Sequence, residues 1–284
     1  MEINNVFQPQ TLLEAQEILS KYQNCLILAG GTDLILDLKR KHKQGEYLID
    51  LNNITELKAI TEKNDEIIIG SMVTFADLLN SKVIQKYFNG LYLAAKTMGS
   101  PQIRNMATIG GNIINGAAAA DIIPCIICLD GMLEFTSKEV IRYISCEEYF
   151  QKIDTEHIKS HEVLTNIIIP KRTVYSGYYK LGKRNSLSIA RLNTAISIIM
   201  NNDTIQSLAI CLGAVGRYPF RVKEIETKAY GKTLEYLYSE EILSNLEKIV
   251  YESIKTRKTM PFKKEAVKGV YKLALEKALG EVIR

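Results

Sequence analysis

The sequence predicts an α+β protein of two domains, and three observations lead there. The length of 284 residues exceeds the roughly 150 residues of an average domain. Helical and strand periodicities are mixed in the first part without strict βαβ alternation, unlike a doubly wound sheet. Beyond Pro170, short strands come first and helical patterns follow. Apolar residues at 46% and charged residues at 24% are ordinary for a chain that buries a sizeable core. These proportions exclude disorder and a disulfide-stapled miniature fold. A formal charge of +4 is too small to argue for a nucleic-acid partner.

The elements follow in order. Leu12, Leu13, Ala15, Ile18 and Leu19 recur at helical spacing and predict a helix over residues 11–21. Residues 25–29 form a short apolar strand, Gly30-Gly31 a turn, and Thr32 an N-cap for a helix through Leu34, Ile35 and Leu38. The run Lys39-Arg40-Lys41-His42-Lys43 before Gly45 reads as cations at a helix C-terminus, where the macrodipole favours them. Strands are expected at 47–51 and 66–70, and helices at 75–79 and 91–98. Residues 99–116, rich in Gly, Asn and Ser, read as a long loop. Residues 122–129 are an apolar stretch, and 163–170 a strand. A boundary is expected at 170–177, where Lys, Arg, Thr, Ser and Gly cluster. Strands at 177–181, 194–200 and 206–214 follow, with Asn201-Asn202-Asp203 as the turn between the last two. Helices at 240–251 and 264–278 complete a small antiparallel sheet with trailing helices.

The first residues lack a basic segment followed by an apolar run, so no secretory signal is expected. No apolar stretch reaches the ~20 residues of a membrane span. Five scattered cysteines (25, 125, 128, 146 and 211) suit a reduced, cytoplasmic setting.

Two stretches can carry chemistry. In the first, a strand enters Gly30-Gly31 and then a helix start; glycine lets backbone approach a ligand, and free amides at a helix start suit a phosphate. A plain strand–turn–helix corner has the same pattern. In the second, Gly110-Gly111 lies between Thr108 and Asn112, and successive amides there could form an anion nest. Two such corners suit a ligand with two phosphates.

At this point the residues resemble a known family. Ala29-Gly30-Gly31-Thr32-Asp33-Leu34 and the segment Gln102-Ile103-Arg104-Asn105-Met106-Ala107-Thr108-Ile109-Gly110-Gly111-Asn112-Ile113 are similar to the FAD-binding subunits of molybdenum hydroxylases, the group of xanthine, nicotinate and carbon monoxide dehydrogenases. The likeness continues through Ala120-Asp121-Ile122-Ile123-Pro124, Tyr179-Lys180-Leu181 and Ile189-Ala190, over nearly the whole chain. It implies a two-lobed FAD-binding domain of the vanillyl-alcohol-oxidase-like (PCMH) type over residues 1–173. A carbon monoxide dehydrogenase flavoprotein C-terminal domain over 174–284 would follow.

By this resemblance Ile27, Leu28, Ala29, Gly30, Gly31, Thr32, Asp33 and Leu34 wrap the FAD pyrophosphate, and Thr108, Ile109, Gly110, Gly111 and Asn112 hold it from the other side. Asp121 would lie close to the cofactor, and Leu164 and Lys180 would contact the flavin. Lys180 near the pyrimidine edge would stabilise negative charge on the reduced ring. The alanine run in Asn115-Gly116-Ala117-Ala118-Ala119-Ala120 departs from the Ser or Pro common in the family, so side-chain bonds there are not assumed. The implied partners are an iron–sulfur subunit, a molybdopterin-binding subunit and NAD+ as electron acceptor. A xanthine-type, purine-oxidising complex is the leading reading. The same subunit of a nicotinate or carbon monoxide dehydrogenase, and a non-redox module binding an anionic nucleotide, are the alternatives.

Other patterns read as accidents. Residues 177–183 spell a P-loop, but Arg184 stands where Ser or Thr must ligate magnesium. Cys125 and Cys128 form a CxxC in an apolar context that reads as core. His157 and His161 stand four apart among acidic neighbours that suit a solvated surface. No G-x-G-x-x-G, HExxH or Ser-His-Asp set is visible, so no protein catalytic group and no metal site is expected.

Overall fold

The computed structural model describes residues 3–40, 47–153, 158–159, 161–184 and 187–280. In chain order the elements open with β1 (Asn5–Phe7), α1 (Leu12–Lys21), β2 (Cys25–Leu28), α2 (Leu34–Lys39) and β3 (Tyr47–Asp50). Then come β4 (Ile60–Glu62), β5 (Glu66–Gly70), α3 (Phe75–Asn80), α4 (Lys82–Tyr87), α5 (Asn89–Thr97), α6 (Pro101–Met106), α7 (Ile109–Asn115) and α8 (Ile123–Cys128). Strands β6 (Met132–Thr136) and β7 (Ile141–Ser145), helix α9 (Cys146–Gln151), and strands β8 (Val163–Pro170), β9 (Tyr175–Leu181), β10 (Leu192–Asn201), β11 (Thr204–Gly213) and β12 (Phe220–Arg221) follow. Helices α10 (Lys223–Ala229), α11 (Glu240–Ile254) and α12 (Met260–Leu279) end the chain.

These elements form two compact units, each assembled from several stretches of chain. One comprises Met1–Asn80, Ser100–Asn115 and Gly131–Pro170. It holds two sheets, the two lobes expected of the first domain. The smaller is parallel, ordered β1-β3-β2; parallel strands need crossovers, and α1 lies in the one from β1 to β2 and α2 in the one from β2 to its neighbour β3. Thr11 starts α1 by accepting from the Glu14 amide, and the helix buries Ala15 and Leu19 in a cluster with Ile49, Leu51, Ile54 and Leu57. The larger sheet is antiparallel, ordered β4-β5-β8-β6-β7. Its alternating pattern turns Ile67, Ile69, Leu133, Phe135, Ile167 and Ile169 to one buried face, with Ile67 opposite Ile169 and Leu133 opposite Ile167.

The other unit comprises Ser81–Gly99, Gly116–Asp130 and Lys171–Arg284. Its antiparallel sheet runs β12-β11-β10-β9. The β10–β11 hairpin turns at Asn202, whose φ of +50° is a conformation Asn tolerates better than most residues. Helices α11 and α12 bury Leu246, Val250, Val267, Tyr271 and Leu275 in one core with Ile196, Ile198 and Ile210 of the sheet. Ser239 caps α11, accepting from the Ile242 amide.

The fold class is the expected one, an FAD-binding type of α+β domain followed by a sheet domain, but three local expectations fail. The segment 99–116 is not a loop: it holds α6 and α7. Ser100 accepts from the Ile103 amide with Pro101 opening α6, and Thr108 Oγ1 accepts from the Gly111 amide at the start of α7. These capping bonds outweigh the weak helix propensity of Gly110 and Gly111. Thr32 is not the N-cap of α2: Asp33 occupies that place, in a helical conformation and with no side-chain capping bond. Strands β6 and β7 and the short β1 and β4 stand where no element was expected. Lys41, His42, Lys43, Gly45 and His157 lie outside the described residues. Among the described residues no helix is long and apolar enough to cross a membrane.

Candidate functional site

The two diglycine corners meet within the first unit. Strand β2 delivers the chain to Gly30, where a Cβ would lie 1.8 Å from the carbonyl oxygen of Met106. Only glycine lets this corner press on the end of α6. Gly31 then turns with φ +68°, a left-handed conformation that a side chain would strain. The second corner follows Ala107. A two-residue bridge between Thr74 and Thr108 fixes its start, and Gly110 is buried against Ser71. Gly111 is exposed, and a Cβ there would stand 3.7 Å from Ala29 Cβ and 2.9 Å from Thr108 Oγ1.

The corners differ in what they offer an anion. The expected nest of free amides at the second corner is not present. The amide of Ile109 donates to Val73 O, that of Gly110 to Ser71 O, that of Gly111 to Thr108 Oγ1 and that of Asn112 to Thr108 O. The Ser71–Val73 segment takes the first two of those donors, and the helical turn reaching back to Thr108 takes the other two. At the first corner, among the described residues, the amides of Gly31 and Thr32 donate to no chain carbonyl. The side chain of Asn112 adds a second polar group: its Oδ1 is buried without a hydrogen-bond partner. An orphaned acceptor beside a glycine corner fits a hydroxyl-bearing ligand, since burying it unpaired costs about 1–3 kcal/mol. Asn52, which the sequence reading missed, braces the first corner by donating to Ala29 O at 3.2 Å and to Asp50 Oδ1 at 2.7 Å. Only the fold brings it there; its spacing carries no signal.

The remaining expected residues sort by burial. Ile27 packs on the core of its lobe, and the Leu28 side chain flanks Gly31. Asp33 is exposed and Leu34 opens α2. Ile109 is fully buried, so only its backbone can face a ligand. Leu164 is buried on β8 opposite Phe135.

The second unit brings Asp121 and Lys180 together, 59 residues apart in sequence. Lys180 Nζ donates to Asp121 Oδ2 at 2.7 Å and to Thr97 O, the last residue of α5, at 2.6 Å. Tyr178, two residues earlier on β9, donates its hydroxyl to Asp121 Oδ1 at 2.6 Å. Burial pushes the Asp121 carboxyl above its ordinary value, and Lys180, Tyr178 and Asn193 offset only part of that rise. Burial, with the Asp121 charge beside it, pushes the Tyr178 hydroxyl well up, so it stays a donor.

The accidental patterns resolve as packing. Cys125 and Cys128 are buried, and their thiols donate to Gly90 O and Ala195 O. Among the described residues no cluster of three metal-ligating side chains exists. Gly177 sits inside β9, where a Cβ would lie 2.2 Å from Ala274 O, so it is a packing glycine.

The chain is similar to known proteins over nearly its whole length. Residues 1–172 match the model of the FAD binding domain in molybdopterin dehydrogenase. Residues 177–278 match the CO dehydrogenase flavoprotein C-terminal domain. The chain is 31% identical over 274 residues to the nicotinate dehydrogenase FAD-subunit of Eubacterium barkeri, covering 94% of this chain and 93% of that one. It is 28% identical to the xanthine dehydrogenase FAD-binding subunit of Escherichia coli O157:H7, covering 95% and 94%. A chain of carbon monoxide dehydrogenase from Hydrogenophaga pseudoflava superposes with a TM-score of 0.86 at 26% identity, covering 96% of each chain.

Proposed function

The chain belongs to the family of FAD-binding subunits of molybdenum hydroxylases, and we propose that it passes electrons from the iron–sulfur clusters of a partner subunit to NAD+. The oxidised substrate, held on a separate molybdopterin subunit, is a nitrogen heterocycle, in the first instance a purine such as xanthine. The observation that carries the reading is near-full-length similarity to subunits named for xanthine and nicotinate, both nitrogen heterocycles. The 31% identity to the nicotinate protein favours nicotinate as the second reading.

Bound FAD supplies the ability to take up single electrons and give up a pair. The chain's own residues bind and orient it. Ile27 through Leu34 would form one wall, in which the Gly31 and Thr32 amides are free to bind the diphosphate and Gly30 keeps the corner close-packed. Thr108 through Asn112 form the other; Gly111 leaves room for the ligand and Asn112 Oδ1 accepts from a hydroxyl. By the family resemblance Leu164 would offer the flavin an apolar contact, and Lys180, with Asp121 as its counter-ion, would supply positive charge to it. Residues 1–173 and 174–284 serve as the two sequence domains of this arrangement.

The test is purification of the chain with its co-purifying molybdenum and iron–sulfur subunits, followed by assay of NAD+ reduction. Xanthine-dependent reduction supports the first reading and nicotinate-dependent reduction the second. Turnover with an artificial acceptor but none with NAD+ would remove NAD+ from the scheme.

A further inference from the structure

Three buried polar side chains in the second unit form one closed relay. Strand residues two apart share a face, so β9 turns Tyr178 and Lys180 to the same side, opposite Ala195 and Asn193 of β10. Asp121 faces them both. Its two carboxylate oxygens are divided, Oδ1 taking the Tyr178 hydroxyl at 2.6 Å and Oδ2 the Lys180 ammonium at 2.7 Å. Tyr178 is 2% exposed and Asp121 8%. Packing of a phenol ring against a strand does not by itself require its oxygen to end on a carboxylate.

We propose that Tyr178 is a positioning residue for Lys180: it fixes the Asp121 carboxylate in the orientation that holds the lysine ammonium against Thr97 O and in register with the flavin. The inference rests on the reading that Lys180 meets the flavin, and adds the residue that aims it. A carboxylate that keeps a donor on each oxygen has one preferred rotation. Without the phenol, the buried Oδ1 loses its short donor at 2.6 Å. The carboxylate then turns, or shares the ammonium between its oxygens, and the ammonium moves with it. Asn193 also faces the carboxylate, but one of its two amide hydrogens is spent on Ala120 O at 3.2 Å, so it leaves Oδ1 with a single, weaker donor in place of the phenol.

The experiment is a double-mutant cycle read as the midpoint potential of FAD bound to the full chain, with Tyr178→Phe, Lys180→Met and both together. Lys180→Met is expected to lower the potential, and Tyr178→Phe to lower it by less. The double variant is expected to match Lys180→Met alone, because the phenol acts only through the lysine. Equal effects of Tyr178→Phe with and without Lys180 overturn the proposal, as does an unchanged potential in Tyr178→Phe beside a lowered one in Lys180→Met. An unchanged potential in Lys180→Met removes the lysine's own role and the proposal with it. Should Tyr178→Phe fail to fold, Tyr178→Met, which also removes the donor without changing the charge, replaces it in the same cycle with the same expectations.

Discussion

Lys180 Nζ lies 2.7 Å from Asp121 Oδ2, and the two side chains are 8% and 10% exposed. A pair so deeply buried is costly to break from one side, because the partner is left as an uncompensated charge. Asp121→Ala is expected to destabilise the chain by about 3–5 kcal/mol. The midpoint of urea unfolding measures this, and a loss below about 1 kcal/mol contradicts it.

Asn112 makes the opposite kind of prediction. Its orphaned Oδ1 stabilises nothing in the free chain. Asn112→Ala should leave the melting temperature of the FAD-free protein unchanged or raised. It should also weaken FAD binding by about 0.5–1.5 kcal/mol, up to roughly tenfold in Kd. Flavin fluorescence titration reads the affinity. Unaltered FAD affinity would take Asn112 out of the site.

The glycine corners separate fold from ligand. Gly30→Ala forces a Cβ against the Met106 carbonyl and should cost about 1–3 kcal/mol of stability. Gly111 is exposed, and its nearest obstacle is a side-chain hydroxyl 2.9 Å away. Gly111→Val is therefore expected to fold and to lose FAD, as is Gly31→Val after a larger loss of stability. Folded chains of both variants that stay yellow and bind FAD as tightly as the parent would defeat the assignment.

Glu162 gives the pH dependence. Burial alone would raise its carboxyl, but two bonds from Arg142 at 3.0 and 2.7 Å and the Lys159 amide outweigh that and hold it below its ordinary value of 4.5. A carboxyl depressed in the folded state binds fewer protons there than in the unfolded chain. Its stabilisation is complete above the ordinary value and is lost as pH falls through the folded one. The stability gap between the parent and Glu162→Gln should be widest at pH 7 and close below about pH 4.5. A gap constant from pH 7 to pH 3 would refute the pairing.

How much of this was legible depended on range. The β10–β11 hairpin announced itself through Asn201-Asn202-Asp203, and α11 through its apolar spacing, because both signals are local. The motif residues 29–34 and 102–113 were legible as two corners of one place, and the fold does bring them into contact. The helical nature of 101–115 was not, because Gly110 and Gly111 disguise it and the deciding bonds, from Ser100 and Thr108, are caps. Nor could spacing reveal that Tyr178 reaches Asp121, 57 residues away. That contact joins β9 to the segment just before α8, and only the tertiary fold brings the two together.

The interleaving of the two compact units also bears on synthesis. The chain passes from one unit to the other five times, at 80/81, 99/100, 115/116, 130/131 and 170/171. Helices α5 and α8 are translated early, yet Leu91, Ala94 and Ile126 belong to the unit whose strands β9 to β11 leave the ribosome later. Until then their apolar faces have only α4 and each other within their own unit to cover them. The nascent polypeptide thus carries a sticky intermediate that a chaperone would recognise. Cutting the gene at the sequence boundary would make that intermediate permanent.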